Sequence, residues 1–317
     1  MIVCVTPNAA IDLTMQLDAL RIGAVQRAAE SIAVAGGKGV NVARVARLLG
    51  GASTNAAFLG GAAGRYFAEL AQAEGLRGRW TWAAGETRTC VMLAQPQHGD
   101  ATVVNGQGMR VDDADWQRFR ADVLAHAAET AASTICLCGS LPPGSAAAAY
   151  AELLRGCVAS GRRVWVDTSG EPLRAALSVP GVAVKVNRAE LMDALRGESE
   201  MAFGTLAEVA RSAQRLIAQR GLAMVAVTLG GEGAVLATAQ GAWAAAAPVV
   251  PLVSSVGSGD STLAATALAF ERGADPGTAL RCGVAAGTAN AMSLGGGRFA
   301  IAEYEDSYER IHVVALA

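Results

Sequence analysis

The sequence predicts an α/β layer protein, with a mostly parallel central sheet covered by helices on both faces and a second, smaller β-sheet beside it. Two patterns carry this prediction. Short apolar runs without polar alternation, at 135–138, 164–166, 182–186 and 224–228, are separated by helix-like stretches such as 146–160 and 206–220. Strands that are apolar throughout are buried on both faces, as in a parallel sheet between helix layers. By contrast, segment 13–17 and more weakly 25–34 show the two-residue period of half-exposed strands, and 89–94 with 101–104 could form a hairpin around His98, Gly99 and Asp100. These strands predict a small sheet with one open face, contributed in pieces near the N-terminus, an arrangement suited to a lid over a cleft.

In chain order, residues 2–5 form a short apolar run ended by Thr6-Pro7-Asn8, which reads as a buried strand feeding a turn. The sequence Gly36-Gly37-Lys38-Gly39-Val40-Asn41 opens a helix that sets Val42, Val45, Leu48 and Leu49 on one side. Residues 249–253 read as a β-like segment leading into Val256-Gly257-Ser258-Gly259-Asp260-Ser261. Two Ala-rich helices follow, at 261–272 and 276–294, punctuated by Gly273 and Pro276.

Composition narrows the function classes. The chain has 317 residues, 52% hydrophobic and 17% charged, enough for a large core and unlike a disordered chain. A net charge of −2 argues against a general nucleic-acid binder, which needs a basic face. The six cysteines include no C-x-x-C pair, and the three histidines match no zinc spacing; buried free thiols are expected. No signal-peptide pattern or membrane-spanning run is visible, so a cytoplasmic location is the expectation.

The chemistry concentrates at a few glycine-rich turns. Glycines before a helix permit positive φ and close backbone approach, and the exposed N–H groups of the helix start favour an anion. Gly257, Ser258 and Gly259 present such a turn, and Asp260 at its end is expected to stay ionised and ready to accept a proton. Alone, the same residues could be a helix cap and a tight turn. Thr262 stands where a dinucleotide fingerprint needs its third glycine, and no Walker A sequence occurs. Gly37, Lys38 and Asn41 offer a cation and an amide beside opened backbone, and Arg88 offers a guanidinium that can grip phosphate bidentately. Each of these is also compatible with a solvated surface charge.

Taken together and in order, the motifs resemble the PfkB family of carbohydrate kinases, and within it the 1-phosphofructokinase and tagatose-6-phosphate kinase group. They are TPNAAID at Thr6, GGKGVN at Gly36, GETRT at Gly85, GSLPPG at Gly139, DTSG at Asp167, KVNRAEL at Lys185, TLGGEG at Thr228, VGSGD at Val256 and GTANA at Gly287. The resemblance implies a single ribokinase-like domain over 1–317, a three-layer α/β/α sandwich. Its lid would come from about 9–34 and 86–110, and its core from about 1–8, 35–85 and 111–317. It implies ATP and Mg²⁺ as cofactors and a hexose phosphate as substrate, fructose 1-phosphate first, then tagatose 6-phosphate or fructose 6-phosphate. It also implies a homodimer formed through the lids. A non-catalytic binding protein on the same fold is the alternative from another class.

Roles carried over by the resemblance are as follows. Asp260 is the catalytic base, with the Gly257, Ser258 and Gly259 amides as anion hole. Asp12, Gly37, Lys38, Asn41 and Ser140 bind the sugar, and Arg88 with Lys38 grips its existing phosphate. Lys185, Asn187, Thr228, Gly230, Gly233 and Asn290 bind the nucleotide, and Asn187 with Glu190 orders the metal. Ala9, Val186 and Ser258 depart from the family's usual Pro, Pro and Ala at those places, and 105–110 matches its usual stretch poorly. The apolar end of the chain, 310–317, has no assigned place.

Overall fold

The chain alternates strand and helix along most of its length in the computed structural model, which describes residues 1–95, 100–196 and 201–316. The elements, in chain order, begin with β1 (Ile2–Thr6), β2 (Ala10–Gln16), β3 (Glu30–Gly36), α1 (Lys38–Leu48), β4 (Ser53–Leu59), α2 (Gly61–Ala73), β5 (Gly78–Trp82), β6 (Arg88–Gln95) and β7 (Asp100–Asn105). The middle comprises α3 (Asp113–Glu129), β8 (Thr134–Cys138), α4 (Ala147–Ala159), β9 (Arg163–Asp167), α5 (Gly170–Ala176), β10 (Val182–Asn187), α6 (Arg188–Ala194), α7 (Leu206–Arg220) and β11 (Met224–Thr228). The last part comprises β12 (Ala234–Thr238), β13 (Gly241–Ala245), α8 (Ser258–Glu271), α9 (Pro276–Ala291), α10 (Ile301–Arg310) and β14 (Val313–Leu316).

A ten-stranded sheet runs β14-β13-β12-β11-β10-β9-β8-β1-β4-β5. Pairings from β11 through to β5 are parallel; those of β12, β13 and β14 are antiparallel. The unalternating strands are buried on both faces. In β1, Val3 and Val5 join the core under α3 to α7, while Ile2 and Cys4 join the core under α1, α2, α8 and α9. Ile135 and Leu137 of β8 face the first core, and Cys136 and Cys138 face the second. Five cysteines are buried, Cys282 is half-buried, and all six are free thiols.

The second sheet has four strands in the order β3-β2-β6-β7. Its central pair, β2 and β6, is parallel, although its outer pairs are antiparallel. β2 aligns Ala10 with Arg88 and Asp12 with Cys90, so the parallel pairing brings the ends of two distant motifs together. Alternation along β2 presents Asp12, Thr14 and Gln16 to the cleft between the sheets.

Several local expectations are corrected. The strand read into 25–34 begins only at Glu30, and Val25 lies almost fully in solvent. Residues 249–253 pair with no strand: Pro248 and Pro251 lack the N–H that a ladder needs, and Val253 donates to the Ala291 carbonyl instead. α8 starts three residues earlier than expected, at Ser258, and α9 ends at Ala291, before Leu294. Leu48 on α1 is exposed, whereas Val42 and Val45 are fully buried. His98 and Gly99 of the expected hairpin turn lie outside the described residues. The unplaced C-terminal run supplies β14, pairing antiparallel with β13 at the edge of the large sheet.

Candidate active site

The site forms where five neighbouring parallel strands end. Thr6, Cys138, Asp167, Asn187 and Thr228 are the last residues of β1, β8, β9, β10 and β11. Each is followed by one of the turns singled out in the sequence. Open α/β sheets bind ligands in the crevice beyond these carboxyl ends. Here the crevice is a cleft of about 980 Å³ between the large sheet and the inner face of the small one.

At its centre, Gly257 adopts φ +83° and caps α8. A Cβ on Gly257 would lie 2.3 Å from Gly296 Cα, so only glycine allows this turn to pack on the 295–297 backbone. The amides of a helix's first turn have no intrahelical acceptor and face the cleft as an anion site. Ser258 is an exception to the expected anion hole: its N–H turns back to the Ser255 carbonyl at 3.2 Å. The donors are therefore its neighbours.

Asp260 is in the first turn of α8 and only 5% exposed. Its Oδ2 accepts from Asn41 Nδ2 at 2.8 Å, joining α8 to α1. The expectation of an ordinary, freely ionised aspartate needs correction. Burial raises its pKa to about 6; the Asp167 charge adds to this, and Lys38, Asn41 and Lys185 only partly offset it.

Asp167 is fully buried and holds two ammonium groups, Lys185 Nζ at 2.6 Å and Lys38 Nζ at 2.7 Å. Burial alone would raise its pKa, but the two cations win and hold it at about 2. Desolvation works against the Lys38 charge, yet Asp167 and Asp260 outweigh it and raise its pKa. Lys38, read as a grip on a pre-existing phosphate, thus sits at the Asp260 end of the cleft, drawn there by two carboxylates. A Cβ on Gly259 would lie 2.5 Å from Lys185 Nζ. That missing side chain is what lets a buried ammonium approach the anion turn.

The small sheet supplies the other wall. Asp12 lies under Gly36, where any Cβ would meet its carboxylate carbon, and it takes a hydrogen bond from the Gly37 amide. Burial is the largest influence on it and raises its pKa, against Gly37, Arg44 and Arg88. Arg88 lines the cleft and donates to the Asn8 carbonyl at 2.9 Å and the Gly106 carbonyl at 3.1 Å. Its Nε is buried without a partner. Ser140 Oγ accepts from Asn8 Nδ2 at 3.1 Å. At the opposite end, Thr228, Gly230 and Gly233 line the cleft beside the exposed 249–252 segment.

One assignment changes. Asn290 does not line the cleft. It is fully buried behind the anion turn, donating to the Val256 carbonyl at 2.8 Å and accepting from the Gly297 amide at 2.8 Å. It braces the turn from behind. Asn187 and Glu190 do line the cleft, but they form a reciprocal cap on α6, at 2.8 and 2.9 Å. The Asn187 amide nitrogen and the second Glu190 oxygen take no part in that cap.

Asp167 lay inside a recognised motif without a role, and its two lysine partners come from residues 129 and 18 positions away. Arg44 and Asn8 carried no assignment either. Arg44 and Arg47 both interrupt the helix stretch from Val40 to Leu49, and nothing in the sequence marks Arg44 as the buried one.

Clustered N–H donors, two ammonium groups and a raised-pKa carboxylate at one end of a cleft can neutralise a migrating anionic group and take a proton from its acceptor. Such a site belongs to the class of phosphoryl-transfer enzymes. The model of the pfkB family carbohydrate kinases matches residues 3–301, and the chain belongs to that ATP-using family. It is 38% identical over 84% of its length to a 1-phosphofructokinase of Xanthomonas campestris, covering 83% of that protein. It is 31% identical over 92% of its length to a 1-phosphofructokinase of Bacillus subtilis, covering 93% of that protein. Among solved structures, phosphofructokinase-2 of Escherichia coli with substrates and products superposes with a TM-score of 0.87 at 26% identity, covering 98% of each chain.

Proposed function

We propose that the chain transfers the γ-phosphoryl group of ATP to a hydroxyl of a hexose phosphate, converting fructose 1-phosphate to fructose 1,6-bisphosphate. The observation that supports this most is the convergence of Asp260, the Gly257 turn, Lys38 and Lys185 at one point of a cleft of about 980 Å³, a volume suited to a nucleotide with a second small ligand. The names of the Xanthomonas and Bacillus relatives favour fructose 1-phosphate over tagatose 6-phosphate and fructose 6-phosphate.

In this reading, Asp260 accepts the proton of the attacking hydroxyl while Asn41 holds the carboxylate in place. The Gly257–Asp260 turn receives the charge of the transferring group, and Lys38 and Lys185 neutralise it from the Asp167 side. Asp12 accepts hydrogens from sugar hydroxyls, with Gly37 shaping the loop opposite. Arg88, whose Nε has no protein acceptor, binds the phosphate already on the sugar. Ser140 contacts the sugar from the wall that Asn8 supports. Thr228, Gly230 and Gly233 border the nucleotide.

Among the described residues, no three His, Cys, Asp or Glu side chains gather into a metal cage. The Glu190 oxygen left out of the α6 cap is a single carboxylate donor on the cleft, which fits Mg²⁺, a metal that keeps water and phosphate oxygens as most of its ligands. Asn187 and Glu190 would hold its hydration shell, and bound Mg²⁺ would neutralise phosphate charge.

A coupled ADP-release assay over sugars and sugar phosphates tests the proposal, with fructose 1-phosphate expected to give the highest kcat/KM. Turnover of ribose or a nucleoside, with none of the phosphosugars, overturns it. ATP binding by calorimetry without turnover of any acceptor indicates a binding protein on this fold. No helix among the described residues is long and apolar enough to cross a membrane, and we place the reaction in the cytoplasm, where ATP is found. On the face of the small sheet turned away from the cleft, Val104 is exposed. We take this open face to pair two copies, which light scattering at micromolar concentration reads as twice the chain mass.

A further inference from the structure

Asp260 is not held by Asn41 alone. A side-chain amide is nearly symmetric in shape, and a half-turn about its last bond exchanges its NH₂ and its carbonyl. Either group could face Asp260, with opposite effects. The NH₂ stabilises the carboxylate; the carbonyl repels it and favours the protonated acid.

Arg44 decides between them. It stands one helical turn beyond Asn41 on α1, the spacing at which side chains meet. Its Nη1 donates to Asn41 Oδ1 at 2.7 Å, which leaves Asn41 Nδ2 to donate to Asp260 Oδ2 at 2.8 Å. A guanidinium has donors and no acceptor, so it can bind only the carbonyl side of the amide.

Arg44 is itself fixed. It is 9% exposed. Its Nε and Nη2 form a forked pair with Glu74 at 2.7 and 3.1 Å, and Nη2 also donates to the Ala35 carbonyl at 2.6 Å. Arg298 binds the same Glu74 carboxylate at 2.9 Å. Nη1 further reaches the Gly296 carbonyl at 3.3 Å. Gly296 is the backbone against which Gly257 packs, and a Cβ there would lie 2.5 Å from Asn41 Nδ2. One guanidinium therefore ties the partner of the carboxylate to the segment that supports the anion turn.

We propose that Arg44, clamped by Glu74, is a positioning residue that locks the Asn41 amide in the orientation that donates to Asp260. The proposal rests on Asp260 being the base. The charged groups facing Asp260 are Lys38, Asp167 and Lys185; those around Arg44 are Glu74, Arg298 and, at longer range, Asp12. Losing the lock lets the amide turn, which raises the Asp260 pKa further and depletes the basic form at neutral pH.

The test is the pH profile of kcat for Arg44→Met and Glu74→Gln beside the parent enzyme, using whichever acceptor the parent phosphorylates best. In both variants the acid limb is expected to move to higher pH. At pH 6.5, kcat is expected to fall about ten-fold or more in Arg44→Met, and less in Glu74→Gln, while the KM for ATP stays within about two-fold. A buried arginine that only holds α1 in place would lower thermal stability and leave the acid limb where it was. Glu74 is 22% exposed on its side chain, so Glu74→Gln serves if Arg44→Met does not fold. An unmoved acid limb in the folded variants overturns the proposal. A parent enzyme that phosphorylates some other acceptor overturns the substrate reading alone.

Discussion

The two sheets face each other across the cleft and are built by different rules. The large sheet is buried on both faces, and its central strands β1, β8, β9 and β10 are almost wholly hidden. The small sheet has one face on the cleft, where Ile32 and Val103 lie, and an outer face on which Val104 is exposed. Asp167 ends β9 and Lys185 lies within β10 of the large sheet, and Lys38 and Asp260 are in the first turns of helices packed on it. Asp12 and Arg88 belong to the small sheet. Under the proposed function, the difference teaches that the reacting groups would hang on the stiff, doubly covered side of the molecule and the groups that would recognise the sugar on the looser side. Substitutions on the two sides should therefore separate into effects on kcat and effects on the sugar KM.

Asp260→Asn should break the stiff side most completely. It keeps the shape and loses the proton acceptor, so kcat should fall by about 10³-fold or more while calorimetry finds ATP binding nearly intact. Equal loss of binding and turnover would make Asp260 a structural residue. Asp167→Asn removes the anion shared by two ammonium groups. Lys185 is 4% exposed, and breaking such a buried pair costs about 3–5 kcal/mol, read as a lower denaturant midpoint. A midpoint unchanged from the parent would show that the lysines find other partners.

Arg88→Ala addresses the looser side. The KM for a phosphorylated sugar should rise about ten-fold or more with the KM for ATP unmoved, the size of one lost charge-assisted grip. An unchanged sugar KM would remove Arg88 from the site and blur the division between the sheets. The pH profile sharpens the division further. Because burial lifts Asp260 to about 6, the base is ionised above that pH and protonated below it. kcat should fall to half near pH 6 as the solution is acidified, and a flat profile down to pH 4 would contradict the buried base. The smallest effect belongs to the open face: Val104→Thr, at a residue 57% exposed, should change stability by less than about 0.5 kcal/mol. A larger loss that depends on protein concentration would place this face in an interface.

Much of the fold was readable because strand burial leaves a direct trace. The runs at 135–138 and 224–228 are apolar up to the cleft-facing Thr228 because both of their faces are covered, and each glycine-rich turn that follows marks a strand end at the cleft. β4, with Ser, Thr, Asn and Ala among its seven residues, carries no such trace, yet it is fully buried. The same holds for the Ala-rich β12 and β13, whose strand character comes from their neighbours. Segment 249–253 misled in the other direction, since its valines suggest a strand that its prolines prevent.

By itself the sequence determined the layered architecture and the glycine turns, and it pointed to the candidate residues, because periodicity and φ freedom are properties of a few neighbouring positions. Only the tertiary structure decided how those residues behave. It buried Asp260, gave Lys38 and Lys185 one shared counter-ion, moved Asn290 behind the turn and set Arg44 against Asn41. Desolvation and charge act through space, and the groups that exert them here, such as Lys38 on Asp260, come from opposite ends of the chain.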